Sequence, residues 1–391
     1  MAELRTLLTP EGITLVDELG ELPSTDAVAA AVSRLRRAGH SPDLVSAAVG
    51  QARLRTRARA KFGELSERML FTRAGLEQAT RLEVAALHAA RFRRAGMTRV
   101  ADLGCGLGGD ALGLAGLGMR VLAVDADEIT AALAAYNLAP YDAEVRHARA
   151  EDVDLADIDA VWLDPARRTA GHGETRRVGA GDYTPSLDWA FALAERLPTG
   201  IKLGPAFDRA DIPDGVEAQW IGVDGSTIEL VLWSGALARE GVRRAALVIR
   251  GGVAHEMTSA ADAEDVPVRE LGAFVHEPDG AVIRARLIGD AARALQAGML
   301  AEGIAYLTSD AALTSPFVQS FRVREELPAD TKALGKALRE RGIGRLEIKK
   351  RGVDVDPAQL RPKLKLAGPD EATLILTRTG TRRRAILADR V

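Results

Sequence analysis

A chain of 391 residues, 47% hydrophobic and 27% charged, is too long for one ordinary globular domain and too apolar to be disordered throughout. One cysteine, Cys105, excludes an internal disulfide framework and a thiolate-rich zinc site, and six scattered histidines form no metal-ligand pair at helical spacing. No run approaches about eighteen uncharged apolar residues, and Met1-Ala2-Glu3-Leu4-Arg5 lacks an apolar signal core, so a soluble cytoplasmic protein without metal or membrane span is expected.

Residues 1–67 read as a helical region. Ser24-Thr25-Asp26 offers an N-cap, Val28, Val32 and Leu35 follow at helical spacing, and Gly39 closes the segment. A second helix opens at Ser41-Pro42-Asp43 and carries Leu44, Val45, Ala48 and Val49 into a basic stretch from Ala52 to Lys61. The charges there recur at every second residue, which spreads them around a helix axis, and a solvated helix is expected in preference to a nucleic-acid surface.

From about residue 98 short apolar runs alternate with amphipathic stretches: Val100–Leu103, Val121–Val124, Ala143–Val145, Ala160–Leu163, Ile201–Leu203 and Ile228–Trp233. That alternation predicts a doubly wound α/β domain over residues 68–240, its parallel sheet buried on both faces. Ligands of such sheets lie outside the carboxyl ends of the strands. A connecting α+β region is expected over residues 241–315, with a strand at Ala245–Ile249 and an apolar–turn–apolar connection around Pro278-Asp279-Gly280. Residues 316–391 supply a helix (Lys332–Arg341) and strands at Leu346–Lys349 and Ala372–Leu376. Residues 322–391 hold 18 Lys/Arg against 10 Asp/Glu, a net of +8, whereas residues 1–321 hold 34 against 45, a net of −11. From charge alone the basic tail is either a surface for a polyanion or simply solvated.

The sharpest chemical signal is Asp102-Leu103-Gly104-Cys105-Gly106-Leu107-Gly108-Gly109-Asp110, directly after a strand. Its glycines allow a tight reversal and a close approach of ligand to backbone. Gly104, Gly106 and Gly109 also fit the dinucleotide fingerprint, and Asp125, 21 residues beyond Gly104, is placed to accept hydrogen bonds from ribose hydroxyls. An adenosine-containing ligand follows under either reading. Asp102 separates them, because a carboxylate before the loop repels a pyrophosphate and suits a positively charged amino-acid end. Cys105 has no basic partner in sequence and reads as packing. A second signal, Trp162-Leu163-Asp164-Pro165-Ala166-Arg167-Arg168, ends the fourth strand; the plain alternative is an Asp-Pro turn with solvated arginines. Lys202, at the end of the fifth strand, is expected to meet a phosphate or to hold its head in water. Glu277-Pro278-Asp279 reads as a turn, and His172 as a loop residue near the substrate.

The strand–loop–strand unit resembles the class I S-adenosylmethionine-dependent methyltransferases over residues 68–235. The resemblance implies a seven-stranded Rossmann-like sheet and S-adenosylmethionine as cofactor, with S-adenosylhomocysteine as product. By that likeness Asp102, Gly104 and Gly106 hold the methionine moiety, with Cys105 and Gly108 in the same binding loop. Asp125 takes the ribose hydroxyls, Ala126 and Asp127 line the adenine side, and Asp152 or the adjacent Glu151 reads the adenine amino group. Asp164-Pro165 resembles the Asp/Asn-Pro-Pro-aromatic motif of methyltransferases acting on base nitrogens, in which the acid and a backbone carbonyl accept hydrogen bonds from the target amine. Here Ala166 follows Pro165, and Arg167 replaces the aromatic with a plane able to stack on a base or bind phosphate. Asp164, Pro165 and Arg167 are therefore the expected catalytic residues.

Leu70-Phe71-Thr72-Arg73-Ala74-Gly75-Leu76-Glu77-Gln78-Ala79-Thr80 resembles an element found before the core in a bacterial group with a C-terminal THUMP-like domain, which adds Phe71 and Thr72 to the expected cofactor site. Residues Leu338–Val353 fit the same group, and the core is similar to the trimethylguanosine synthase branch. Because THUMP and related domains bind RNA, the likeness implies methyl transfer to a base nitrogen of tRNA or rRNA, with RNA held through the basic tail. A methyltransferase for a small molecule or a protein, and a non-catalytic RNA-binding protein retaining the fold, are the alternatives.

Overall fold

The computed structural model describes residues 6–167 and 183–391, with Arg167 described in its backbone alone. They divide into two compact units, one reaching to Leu203 and including Leu232–Ala238, the other comprising Gly204–Val231 and Arg239–Val391.

The first unit opens with helices α1 (Pro10–Leu19), α2 (Thr25–Arg37) and α3 (Pro42–Phe62). The hydroxyls of Thr9, Ser24 and Ser41 cap them by accepting from Gly12, Ala27 and Leu44 N–H, and proline starts α1 and α3. Not all of the basic stretch on α3 is solvated. Arg55 is buried and donates to the Met69 carbonyl at 2.9 Å and to Asp17 at 2.6 Å. Lys61 Nζ donates at 2.8 Å to each of the Leu76, Glu77 and Ala79 carbonyls, closing the end of α4 (Arg73–Gln78). Spreading charge around the axis put these two on faces that the next segment covers.

After α5 (Leu82–Arg94) come β1 (Arg99–Leu103), α6 (Gly109–Gly116), β2 (Arg120–Asp125), α7 (Glu128–Leu138), β3 (Ala143–His147) and β4 (Ala160–Leu163). A short pair, β5 (Ala166–Arg167) with β6 (Tyr183–Thr184), precedes α8 (Leu187–Ala194) and β7 (Thr199–Leu203). The strands lie side by side as β7-β4-β1-β2-β3, all parallel. Runs such as Ala160-Val161-Trp162-Leu163 are fully buried, as a sheet covered on both faces requires. Strand order reverses between β1 and β4, so a crevice opens at their carboxyl ends. Below it, Trp162 and Trp233 stand 5.7 Å apart, with His88 4.4 Å from Trp162 and Phe92 5.9 Å from Trp233. Gly200 makes room for them: a Cβ there would lie 2.7 Å from Trp233 and 2.8 Å from Trp162. Gly200→Ala is therefore expected to lower the unfolding free energy by about 3 kcal/mol in urea titrations.

The second unit holds β8 (Glu217–Val223), most of β9 (Ser226–Trp233), β10 (Arg244–Arg250) and β11 (Val253–Ser259), in the order β11-β10-β8-β9. A seven-stranded sheet follows, built from β12 (Phe274–Pro278), β13 (Gly298–Ala301), β14 (Ile304–Ser309), β15 (Val318–Leu327), β16 (Ile343–Lys350), β17 (Asp370–Thr379) and β18 (Arg382–Arg390). Its order is β13-β14-β12-β15-β18-β17-β16. The sheet curls until its ends meet: the Arg351 guanidinium stands 5.6 Å from the Tyr306 ring centre, and Lys349 pairs with Glu277 at 3.0 Å. Helices α9 (Gly280–Arg284), α10 (Ile288–Ala294), α11 (Thr331–Glu340) and α12 (Pro357–Leu364) accompany it. His276 lies between the Ser320 and Ser309 hydroxyls at 2.8 and 2.9 Å, and burial depresses its pKa to about 4.

Strands on both sides of residues 315 and 316 share one sheet, and residues 204–231 group with the second unit. The connection around Pro278-Asp279-Gly280 runs from strand to helix: Asp279 follows β12 and caps α9, accepting from Ala281 N–H at 3.0 Å.

Candidate active site

Gly104, Gly106 and Gly108 adopt φ of 89°, 56° and 84°, a region in which a side chain is strained. Gly104 and Cys105 both donate to the Val124 carbonyl, at 2.8 and 2.9 Å, which anchors the turn over β2. A Cβ on Gly104 would lie 2.9 Å from the Asp164 carbonyl oxygen. Glycine here lets the loop after β1 and the Asp-Pro turn after β4 touch, so the two signals read separately in the sequence share one crevice.

Asp125 fastens the other side of the loop. Its Oδ2 accepts from Gly106 N–H at 3.0 Å and its Oδ1 from Asp127 N–H at 2.9 Å; partial burial raises its pKa. Asp127 caps α7, its Oδ1 accepting from Thr130 N–H at 2.8 Å, and these bonds lower its pKa. Ala126 contributes its carbonyl to His147 Nε2 at 3.1 Å. Glu151 pairs with Arg149 at 3.1 Å, while Asp152 is exposed in the same short turn, Ala150–Asp152. Cys105 is buried, and burial pushes its thiol pKa well up, as a packing residue requires.

Asp102 is the anomaly. It is 1% exposed, and neither carboxylate oxygen has a hydrogen-bond partner among the described residues. Burial, then the charges of Asp110 and Asp164, push its pKa well above the carboxylate range. An unsatisfied buried carboxyl costs stability and fits a site whose partner is a bound cation.

Next to it runs a polar chain of which the sequence reading singled out only Lys202 and Asp164. His88 Nδ1 donates to Asp110 at 2.8 Å, Thr80 Oγ1 to Asp110 at 2.7 Å, Lys202 Nζ to Thr80 Oγ1 at 3.0 Å, and Lys202 pairs with Asp164 at 2.5 Å. Burial alone would raise the Asp110 pKa, but the His88 bond and charge, Lys202 and Thr80 hold it below its ordinary value. Lys202 is thus largely buried, with its head against the Asp-Pro acid. Thr80, in the loop before α5, His88 on α5 and Asp110 on α6 are neighbours of the site to which the motif reading gave no role. For His88 and Asp110 the signal was polarity on largely apolar helix faces.

Phe71, expected beside the cofactor, lies in the core next to the glycine loop. Its side chain is fully buried with its ring centre 5.7 Å from Phe62, and Gln51 takes both its N–H and its carbonyl, at 2.8 and 3.0 Å. Asn137 binds Leu70 N–H at 2.7 Å and the Leu107 carbonyl at 3.0 Å, strapping this segment to the glycine loop. Thr72 is half-buried and caps α4 through Gly75 N–H at 2.9 Å. Pro165 is buried beside the half-buried Asp164. The Arg167 side chain, Arg168 and His172 lie outside the described residues.

A methyltransferase domain model matches residues 101–166, a THUMP domain-like model residues 318–390, and a model for a domain of unknown function residues 1–58. An uncharacterized S-adenosylmethionine-dependent methyltransferase of Mycobacterium tuberculosis H37Rv is 34% identical over 337 residues, spanning 84% of this chain and 91% of that protein. The counterpart in strain CDC 1551 aligns equally. This chain belongs to the S-adenosylmethionine-dependent methyltransferases. A crystal structure from Porphyromonas gingivalis W83, named as a methyltransferase, shares the fold at TM-score 0.71 and 20% identity, covering 94% of this chain and 99% of that one. As a methyltransferase the protein carries a donor set that fits its cofactor: the orphaned Asp102 carboxyl suits the ligand's ammonium group, and the bare glycine turn admits it. Among the described residues no helix is long and apolar enough to cross a membrane.

Proposed function

We propose that this methyltransferase transfers a methyl group from S-adenosylmethionine to a base nitrogen of RNA. The observation supporting this most directly is the contact of Gly104 with the Asp164 carbonyl, which sets the cofactor loop against an acid able to orient an amine. In this reading Asp102 accepts from the ammonium group of the methionine moiety, with Gly104, Cys105, Gly106 and Gly108 shaping the turn around it. Asp125 accepts from the ribose hydroxyls, Ala126 and Asp127 flank the adenine, and Glu151 or Asp152 meets its amino group. The bound cofactor supplies an electrophilic methyl on a sulfonium centre. Asp164 and the Pro165 region accept hydrogen bonds from the target amine and aim its lone pair, with positioning supplying much of the rate. Lys202 fixes the Asp164 carboxylate by pairing with it, and in this reading the acid acts as an acceptor.

RNA is favoured as substrate by the basic tail, in which Lys332, Lys350, Arg361, Lys363, Lys365 and Arg383 are exposed. The test is transfer of labelled methyl groups to RNA extracted from cells lacking the protein. Wild-type protein is expected to label it, and Asp164→Ala to lose about a thousandfold in rate while binding S-adenosylhomocysteine normally. Label entering proteins or small metabolites but not RNA would replace the RNA reading with one of the alternatives.

A further inference from the structure

We infer that the first unit carries its own phosphate track, a row of cations on α3 that leads to the crevice. The inference rests on the RNA reading above and locates a contact surface outside the basic tail. Arg53, Arg57 and Lys61 are four residues apart along α3, so they share one face, about 6 Å between neighbours. The alternate cations do a different job: Arg55 is buried against Met69 and Asp17, and Arg59 pairs with Glu21 and Glu67. Two faces of one basic stretch are thereby separated: Arg55 and Arg59 are neutralised by the fold, whereas Arg53 and Arg57 are exposed in line with Lys61, whose head is drawn against the end of α4.

The row leads toward the Asp-Pro acid. Lys61 grips the carbonyls of Leu76, Glu77 and Ala79, and the chain then passes through Thr80, which receives Lys202, itself paired with Asp164. Arg81 follows immediately and is exposed. Its charge and that of Lys202 both reach Lys61, whose pKa is lowered first by burial and then by these cations. The carboxylate facing the row is Glu77, 4.0 Å from Arg57 with both side chains more than half exposed, a pair of little strength. Among the described residues Arg53 and Arg81 have no carboxylate partner. The chemistry that fits is a chain of phosphodiesters, laid along Arg53, Arg57 and Arg81 with one nucleotide turned in toward Asp164.

The experiment measures binding of fluorescein-labelled single-stranded RNA eicosamers to the full chain by anisotropy, across a series of salt concentrations. Arg53→Glu/Arg57→Glu and Arg81→Glu are compared with wild type and with a tail variant, Lys363→Glu/Lys365→Glu. Affinity is expected to fall at least tenfold in each first-unit variant, and the log–log salt slope to shrink by about 0.7 for each phosphate that is no longer neutralised. Melting temperature and S-adenosylhomocysteine affinity are expected to stay as in wild type, since these side chains are exposed. First-unit variants that bind RNA like wild type, with only the tail variant weakened, would overturn the track while leaving the RNA reading intact. Wild-type protein that binds S-adenosylhomocysteine but no RNA at low salt would overturn both.

Discussion

Asp102→Asn is expected to weaken S-adenosylhomocysteine binding about a hundredfold in isothermal titration at neutral pH, because it removes the charge that faces the ligand's ammonium group. The variant keeps the size of the side chain, so the glycine turn and Asp125 are left in place. Two pH trends distinguish this from a packing defect. Burial and the neighbouring carboxylates raise the Asp102 pKa in the folded protein above its unfolded value. The folded state then holds that proton more tightly than the unfolded chain does, so lowering pH through the raised folded pKa, toward about 3.8, stabilises wild type relative to Asp102→Asn. Ligand binding runs the other way: the ammonium group requires the ionised carboxyl, so wild-type affinity rises with pH across the folded pKa, and the variant stays flat. An asparagine variant that binds within threefold of wild type would remove Asp102 from the cofactor site.

What the sequence made legible is local. The glycine turn, Asp102 before it and Asp125 after the next strand sit within one strand–loop–strand unit, and strand runs buried on both faces carry almost no polar residue. The Thr80–Lys202 contact joins positions 122 residues apart, and only the strand order brings β7 beside β4. A motif also names residues without their orientation: Gln51, 20 residues from Phe71, binds its backbone, and the ring is buried. In the second unit, β11 alternates exposed and half-buried residues, and β18 opens with Arg382-Arg383-Arg384 before burying Ala385 to Ala388. Charge at the start of that strand concealed its apolar half. Two of these arginines were legible only as a charge excess, whereas in the sheet Arg382 and Arg384 both pair with Glu326.

Lys202→Ala is expected to lower the unfolding free energy by about 3 kcal/mol in urea titrations, the scale of leaving a largely buried ion pair with one partner. Lys202 stands among three carboxylates, paired with Asp164 and close enough to act on Asp102 and Asp110. Removing it leaves Asp164 and Asp110 without the cation between them, so the cost is repulsion as well as a broken pair. Adding Asp164→Asn should then recover part of the loss, because the double variant has no orphaned carboxylate at that point. A double-mutant cycle showing additivity within about 0.5 kcal/mol would mean the pair is incidental. The cofactor site reports the same charge independently. Lys202 lowers the Asp102 pKa, so in Lys202→Ala the pH at which S-adenosylhomocysteine affinity is half-maximal should move up. A lysine that merely filled space would leave that midpoint where it was, since only its charge reaches Asp102.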